Sequence, residues 1–389
     1  MSQSGARSRG TDGRPKAADL SATREPFESA RTLPAAFYAS DEVFRLERSE
    51  LFGRMWLCIG READIPKGGD FFTHEIGDER LLVVRGSDAT VRGFFNVCRH
   101  RGSRIVDASR GEGLDRLRCP YHSWTYALDG SLANAPRMAA SFPKDRFSLV
   151  QARLGFFEGF IFANLDDRAE PLERYLTDLP DLARYRMGEL CCGKRVEYEV
   201  EANWKFLCEN YSECYHCPGV HPQLVRISDY LPPGTRVLES GGCFNGGAMA
   251  LRDGFSTMSM SGRSELPPIP GLPDDDHRKV FYYLVYPNLL LSPHPDYVLT
   301  HTIWPLAPRR SRVVCEWLFT REAVAKEGFD PADVVEFWDL TNRQDWSLCE
   351  RAQRGALSRG YRPGPYQPTE DCVHTFDRWY ADRLAPLLG

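Results

Sequence analysis

The chain contains no apolar run long enough to cross a membrane. Its best stretch, Tyr282–Leu291, is short and broken by Pro287, whereas a spanning helix needs roughly 20 apolar residues. The opening residues are basic but lack an apolar core, so no secretory leader is expected and the expected compartment is cytoplasmic. Positive charge is not in excess: 49 Lys and Arg stand against 54 Asp and Glu, a net −5, which argues against a nucleic-acid partner. No GxGxxG follows a strand-like segment, so no nicotinamide or flavin site is expected in this chain. With 32 Gly and 27 Pro in 389 residues, collagen-like and low-complexity readings fall away. No internal repeat is visible, and the length suits two or three domains.

Cysteine, by contrast, is plentiful, with twelve residues. In a large chain of this kind, cysteines are more often free core thiols or metal ligands than disulfides. Cys58, Cys191, Cys192, Cys243, Cys315, Cys349 and Cys372 sit among apolar neighbours without ligand spacing. Cys98 and Cys119 do not fit that description.

The texture divides the chain in three. Residues 1–33 read as a disordered tail and lead-in, rich in Ser, Gly, Arg and Pro over the first two dozen positions. Residues 34–165 carry short apolar runs between Gly/Asp turns (WLCIG, FFTHEI, RLLVVRG, GFIFANL), which are strand signals. After a polar linker and helix at 166–180, strands mix with long helical segments to the end at 389, so the fold class is α+β with an all-β module in front. One helix is expected over Asn203–Cys217, stopped by Pro218. Another opens at Asp330-Pro331 and ends near Gly355. On it Val334, Trp338, Thr341, Asp345, Leu348 and Ala352 share one face by three-and-four spacing, which puts a carboxylate in a mainly apolar stripe. Such a carboxylate needs a partner or a metal.

Two clusters carry metal chemistry. The first is Cys98-Arg-His100 with Cys119-Pro-Tyr-His122. Two thiols and two imidazoles suit a structural zinc. A Cys-x-His arm paired with a Cys-x-x-His arm, however, resembles a Rieske [2Fe–2S] centre, in which two Cys hold one iron and two His the other. The resemblance implies Cys98 and Cys119 on the inner iron and His100 and His122 on the outer one. Ser123 departs from it, since many relatives have Gly there. The second cluster follows Asn210 as Glu213-Cys-Tyr-His216-Cys-Pro-Gly-Val-His221. Glu209, Glu213 and His216 fall on one helical face, and Pro218-Gly219 lets the chain fold back so that both imidazoles converge. Adding Asp345 makes a 2-His-1-carboxylate triad for non-haem Fe(II); Glu350 is a weaker choice. Cys214 and Cys217 also form a CxxC, which taken alone suggests a redox dithiol.

In this order within one chain, the motifs resemble the α subunit of a Rieske non-haem iron oxygenase over about Pro34–Tyr380. That resemblance implies an N-terminal Rieske domain and a C-terminal helix-grip (Bet v 1-like) catalytic domain. It implies a homotrimer fed by a separate reductase, with or without a ferredoxin, and a reaction of a small molecule with O2. It also implies that Glu213 is an electron-transfer bridge between His216 and the Rieske histidine matching His122 in a neighbouring subunit. The motif around Asn210–His221, with Phe337–Asp345 and Arg354–Tyr366, is similar to the quaternary-ammonium branch, which acts on glycine betaine, stachydrine or carnitine. A trimethylammonium group needs an aromatic cage, for which Tyr282, Tyr283, Tyr286, Tyr297 and Trp304 are candidates. The alternatives are hydroxylation or demethylation of an aromatic acid, and an electron carrier without catalysis.

Overall fold

The computed structural model describes residues 15–230 and 237–388. It falls into two compact units: Arg48–Thr177, and the segment up to Glu47 together with Asp178 onward.

The first unit is β-rich, as the short apolar runs anticipate. Seven antiparallel strands run from the edge strand Leu57–Arg61 to Arg110–Gly111. A smaller sheet joins Leu117–Arg118, Thr125–Tyr126 and Leu132–Asn134. Between them lies a core of Phe71, Leu82, Phe94, Leu117, Trp124 and Tyr126, and it includes Cys98 and Cys119.

The second unit is built on an antiparallel sheet whose main path runs from Cys191–Val200 through Arg310–Phe319, Val298–Ala307, Leu289–Pro293, Lys279–Val285 and Phe244–Leu251 to Ser228–Asp229. Helices α1 (Trp204–Tyr211), α2 (Cys217–Val220), α3 (Ala332–Ala356) and α4 (Asp371–Leu384) complete it. The long α3 packs against α1 and the strand Cys191–Val200. It starts where the sequence indicates, with Asp330 Oδ1 accepting the Ala332 N–H at 2.9 Å. Its buried face drifts from the expected stripe: Ala352 is exposed, and Gln353 is buried in its place, accepting the Asn203 N–H at 2.8 Å. Among the described residues no helix is long and apolar enough to cross a membrane.

Two boundary expectations are corrected. Residues 1–14 lie outside the described residues, but 15–33 are ordered: Leu20, Ala30 and Leu33 are fully buried. Their polar composition suggested a tail, yet the strap is tied to a distant loop. Thr32 N–H donates to Gly364 O at 3.0 Å, Gly364 N–H to Thr32 Oγ1 at 2.9 Å, and Tyr361 OH to Leu33 O at 2.8 Å. Residues 34–47, expected with the β module, belong to the other unit. Tyr38 stacks on Phe206 with centroids 4.0 Å apart. The buried Glu47 accepts from Lys205 Nζ at 2.5 Å, Tyr380 OH at 2.6 Å and Trp204 Nε1 at 3.0 Å.

Candidate functional site

In the first unit, Cys98, His100, Cys119 and His122 sit on two loops pinned by backbone hydrogen bonds. Buried Asn96 accepts the Ile105 and Val106 N–H groups and donates to Val106 O, bracing the loop that carries Cys98 and His100. Cys98 N–H donates to Ser103 O and Gly102 N–H to Cys98 O; Gly102 takes φ +74°, a left-handed conformation that glycine adopts freely. The second loop closes with Cys119 N–H on Trp124 O and Ser123 N–H on Cys119 O. Ser123 also adopts a left-handed φ of +58°, the conformational demand that a Gly at this place would meet without strain.

These loops sort the donors by depth. Both cysteines are 2% exposed, and burial raises the Cys98 thiol while the Tyr126 hydroxyl 3.3 Å away opposes the rise. Both imidazoles are at the surface with their Nδ1 atoms 3.1 Å apart, and His100 stacks on Trp124. Among the described residues, no three of these four donors crowd within reach of one ion. A thiol pair inside and an imidazole pair outside fit a two-iron cluster with split ligation better than a single tetrahedral zinc.

In the second unit, α1 is capped by Asn203, whose Oδ1 accepts the Lys205 N–H, and it ends at Tyr211, six residues short of the expected Cys217. Glu213 explains the early stop: its Oε2 accepts the backbone N–H groups of Tyr215 and His216, which a continuing helix would have used. A Cys214–Cys217 disulfide closes the same turn. Glu209 therefore does not share a face with Glu213 and His216. It is half-buried elsewhere, accepting from Tyr38 OH at 2.8 Å, and loss of water around its carboxylate pushes it up to about 7.

The turn nonetheless brings Glu213 to His216, with Oε1 and ring Nδ1 2.5 Å apart. The other ring nitrogen, His216 Nε2, lies 3.2 Å from His221 Nε2 and 3.1 Å from Asp345 Oδ1, and His221 Nε2 is 2.9 Å from the same oxygen. Three donors about 2.1 Å from one ion at right angles would be about 3 Å apart, so this spacing fits one face of an octahedral metal. His221 is 1% exposed, and its Nδ1–H donates to Gln344 Oε1 at 2.7 Å, which leaves Nε2 without a hydrogen. Gln344 Oε1 also accepts from Gln223 Nε2 at 2.8 Å. These two glutamines were not anticipated; the only signal was that Gln344 precedes the helical Asp345. Glu350 is excluded from the group, since it accepts the Glu201 N–H. Burial opposes charge on His216, but hydrogen bonds to Asp345 and Glu213 outweigh it and carry the imidazole up to about 10. Burial likewise works against the Asp345 carboxylate, yet the two histidines hold it below the usual range.

The three donors stand in the wall of a recess of about 840 Å³, open mouth included. Of the five expected aromatics, only Tyr282 lines it, beside Tyr211, Trp338 and Trp346. Tyr283 turns to Glu239, Tyr286 packs on Trp379, Tyr297 OH donates to Met258 O, and Trp304 Nε1 donates to Thr302. No Lys or Arg is among the described lining residues.

Comparison with known proteins agrees with this layout. Residues 55–151 match the Rieske [2Fe-2S] domain and residues 187–386 the ring hydroxylating alpha subunit (catalytic domain). The chain is 33% identical over 387 residues to the glycine betaine monooxygenase oxygenase subunit of Pseudomonas aeruginosa, covering 92% of this chain and 90% of that one. It is 29% identical to the carnitine monooxygenase oxygenase subunit of Acinetobacter baumannii, over 86% of this chain and 87% of the relative. A solved quaternary ammonium Rieske monooxygenase, studied for carnitine oxidation by gut microbiota and inter-subunit electron transfer, superposes with a TM-score of 0.77 at 26% identity, over 91% and 95% of the two chains. Oxygenase subunits of this family work with a reductase on a small molecule and O2. The chain belongs to the ring-hydroxylating, or Rieske non-haem iron, oxygenase α subunits, an enzyme family that combines a Rieske [2Fe–2S] domain with a catalytic domain binding mononuclear iron.

Proposed function

We propose that this chain is the terminal oxygenase for a small quaternary ammonium compound, which it hydroxylates or oxidatively N-demethylates. The observation that carries the reading is the recess itself: Glu213 and Asp345 line it together with Tyr211, Tyr282, Trp338 and Trp346, and no Lys or Arg is among its described lining residues. Aromatic faces attract a quaternary cation by its charge. An aromatic acid, the other substrate class considered, would bring its carboxylate to a wall that already carries the Glu213 and Asp345 carboxylates and has no Lys or Arg among its described lining residues.

His216, His221 and Asp345 are assigned as the iron ligands, and Cys98, His100, Cys119 and His122 as the cluster ligands. When bound, the iron supplies O2 activation, with electrons entering through the cluster from a reductase that consumes NAD(P)H. The chain's own residues hold the donors ready for it. Gln344 keeps His221 in the tautomer that frees Nε2, and Glu213 does the same for His216. Glu213 is also the proposed bridge to His122 of a neighbouring copy in a closed trimer. Its Oε2 is already taken by two amides, so the second imidazole would share Oε1 through its remaining lone pair.

The test is NADH consumption and product formation with a surrogate reductase, comparing quaternary ammonium compounds and aromatic carboxylates in parallel. Coupled turnover of a quaternary ammonium compound is expected. Turnover confined to aromatic acids would reverse the assignment.

A further inference from the structure

Cys214 and Cys217 are the one bonded pair among the twelve cysteines; the other ten are free. A bridge between residues three apart closes a short loop and so gains little by restricting the unfolded chain. The turn is in any case held by Glu213, whose carboxylate accepts two of its amides. The pair is therefore a poor structural staple. A Cys-x-x-Cys pair whose Cα atoms stand 5.0 Å apart suits a different task, passing between dithiol and disulfide without a large movement of the backbone.

The place of the pair decides what it meets. Both cysteines line the recess, and each is 3% exposed. Cys217 Sγ lies 3.9 Å from His216 Nε2, the atom assigned to hold iron. The donor atoms of His216, Cys217 and His221 all lie within 4.8 Å of one another. Cys217 therefore presents its sulfur to the iron site, with Cys214 as its bonded neighbour. The turn is also open to solvent: Tyr215 is 57% exposed, and Pro218 and Gly219 are exposed as well, so a small dithiol can approach it.

An oxygenase that is supplied with electrons but holds no substrate can pass two electrons and two protons to O2 and release hydrogen peroxide. We propose that Cys217 and Cys214 reduce this peroxide inside the recess, a second activity of the chain. The Cys217 sulfur attacks one peroxide oxygen, the O–O bond breaks, and a sulfenic acid and one water result. The Cys214 thiol then attacks the Cys217 sulfur, forms the S–S bond and releases a second water. A small dithiol restores both thiols by exchange and leaves as its own disulfide. The balance is one peroxide and one dithiol consumed, two waters and one disulfide formed. The activity is separate from hydroxylation and rests on the iron assignment above only for the source of its peroxide.

In the experiment, the iron- and cluster-loaded enzyme is reduced with dithiothreitol, freed of it under nitrogen, and run in air with a surrogate reductase and NADH but no organic substrate. Catalase destroys any peroxide that reaches the medium. Differential alkylation and mass spectrometry follow the pair, with Cys192, the exposed free cysteine, as the reference for oxidation from the bulk. The pair is expected to become disulfide roughly tenfold or more faster than Cys192 is oxidised, and to do so despite catalase, because the peroxide arises beside it. With catalase omitted, Cys217→Ser should release severalfold more peroxide per NADH than the wild type. A wild-type pair that stays reduced, or that catalase protects, overturns the inference even if the variant does not fold. Parallel runs with glycine betaine, carnitine and choline keep the two readings apart. Product there, beside a pair that stays reduced, removes this activity and leaves the oxygenase reading standing; no product and no oxygen uptake in any run removes both.

Discussion

Replacing Glu213 by Gln keeps the side chain's shape and removes its charge, and the structure indicates what should be lost. One carboxylate oxygen holds the His216 ring N–H at 2.5 Å, and the other holds two backbone N–H groups. Gln has one accepting oxygen and one donating NH2, so it can serve the ring or the backbone but must oppose a donor with a donor at the other. A hydrogen bond to a charged group contributes about 1.5–3 kcal/mol, which predicts iron bound roughly ten- to a hundredfold more weakly. Titration of the iron with a chromogenic chelator measures this directly, with the visible Rieske absorption as an internal control that should not change. At saturating iron, single-turnover transfer from reduced cluster to the mononuclear site should still be severely slowed, because the shared oxygen has lost its charge. Wild-type iron affinity together with a transfer rate within twofold of wild type would refute both roles assigned to Glu213.

Further outcomes follow from the geometry. In the metal-free protein His216 keeps its proton up to about pH 10, and the ligand set must shed that proton to take iron, so apparent iron affinity should rise about tenfold per pH unit from 7 toward 10. By the same linkage, the stability His216 lends the metal-free form is complete below about pH 6.5 and is lost as pH rises through about 10, which denaturant melts would show. Glu47→Ala should destabilise the catalytic unit by about 3–5 kcal/mol in urea unfolding, because it strands the fully buried Lys205 ammonium. Cys98→Ser should abolish the cluster's visible absorption while the mononuclear site still binds iron, and Asp345→Ala should do the converse, with turnover lost in both.

The parts of the site legible in the sequence were those encoded locally. Cys98, His100, Cys119 and His122 lie on two short arms, and His216 and His221 flank one turn, so their spacing suggested the metal chemistry proposed for them. Asp330-Pro331 announced α3 for the same reason. The errors concern interactions that spacing does not encode. Residues 204–217 have helical character throughout, yet Glu213 captures the amides that would have continued the helix. Strand alternation should have separated Tyr282 from Tyr283, whereas Tyr211, Trp338 and Trp346 enter the recess from helices whose rotation is set by packing on the sheet. The strap at 15–33 looked like tail because its partners lie more than 300 residues away.

That strap has a consequence for biosynthesis. The Rieske unit is one continuous segment, but Thr32 of the strap must await Gly364, a partner 332 positions downstream. At about 5–20 residues per second, this separation amounts to roughly 15–70 s of translation. In the later part of that interval, once Thr177 has been made, the Rieske segment can fold while the strap still awaits Tyr361 and Gly364. The order of maturation is thereby built into the gene: cluster loading can begin on the nascent chain, whereas the iron-binding unit can close only when the polypeptide is nearly finished.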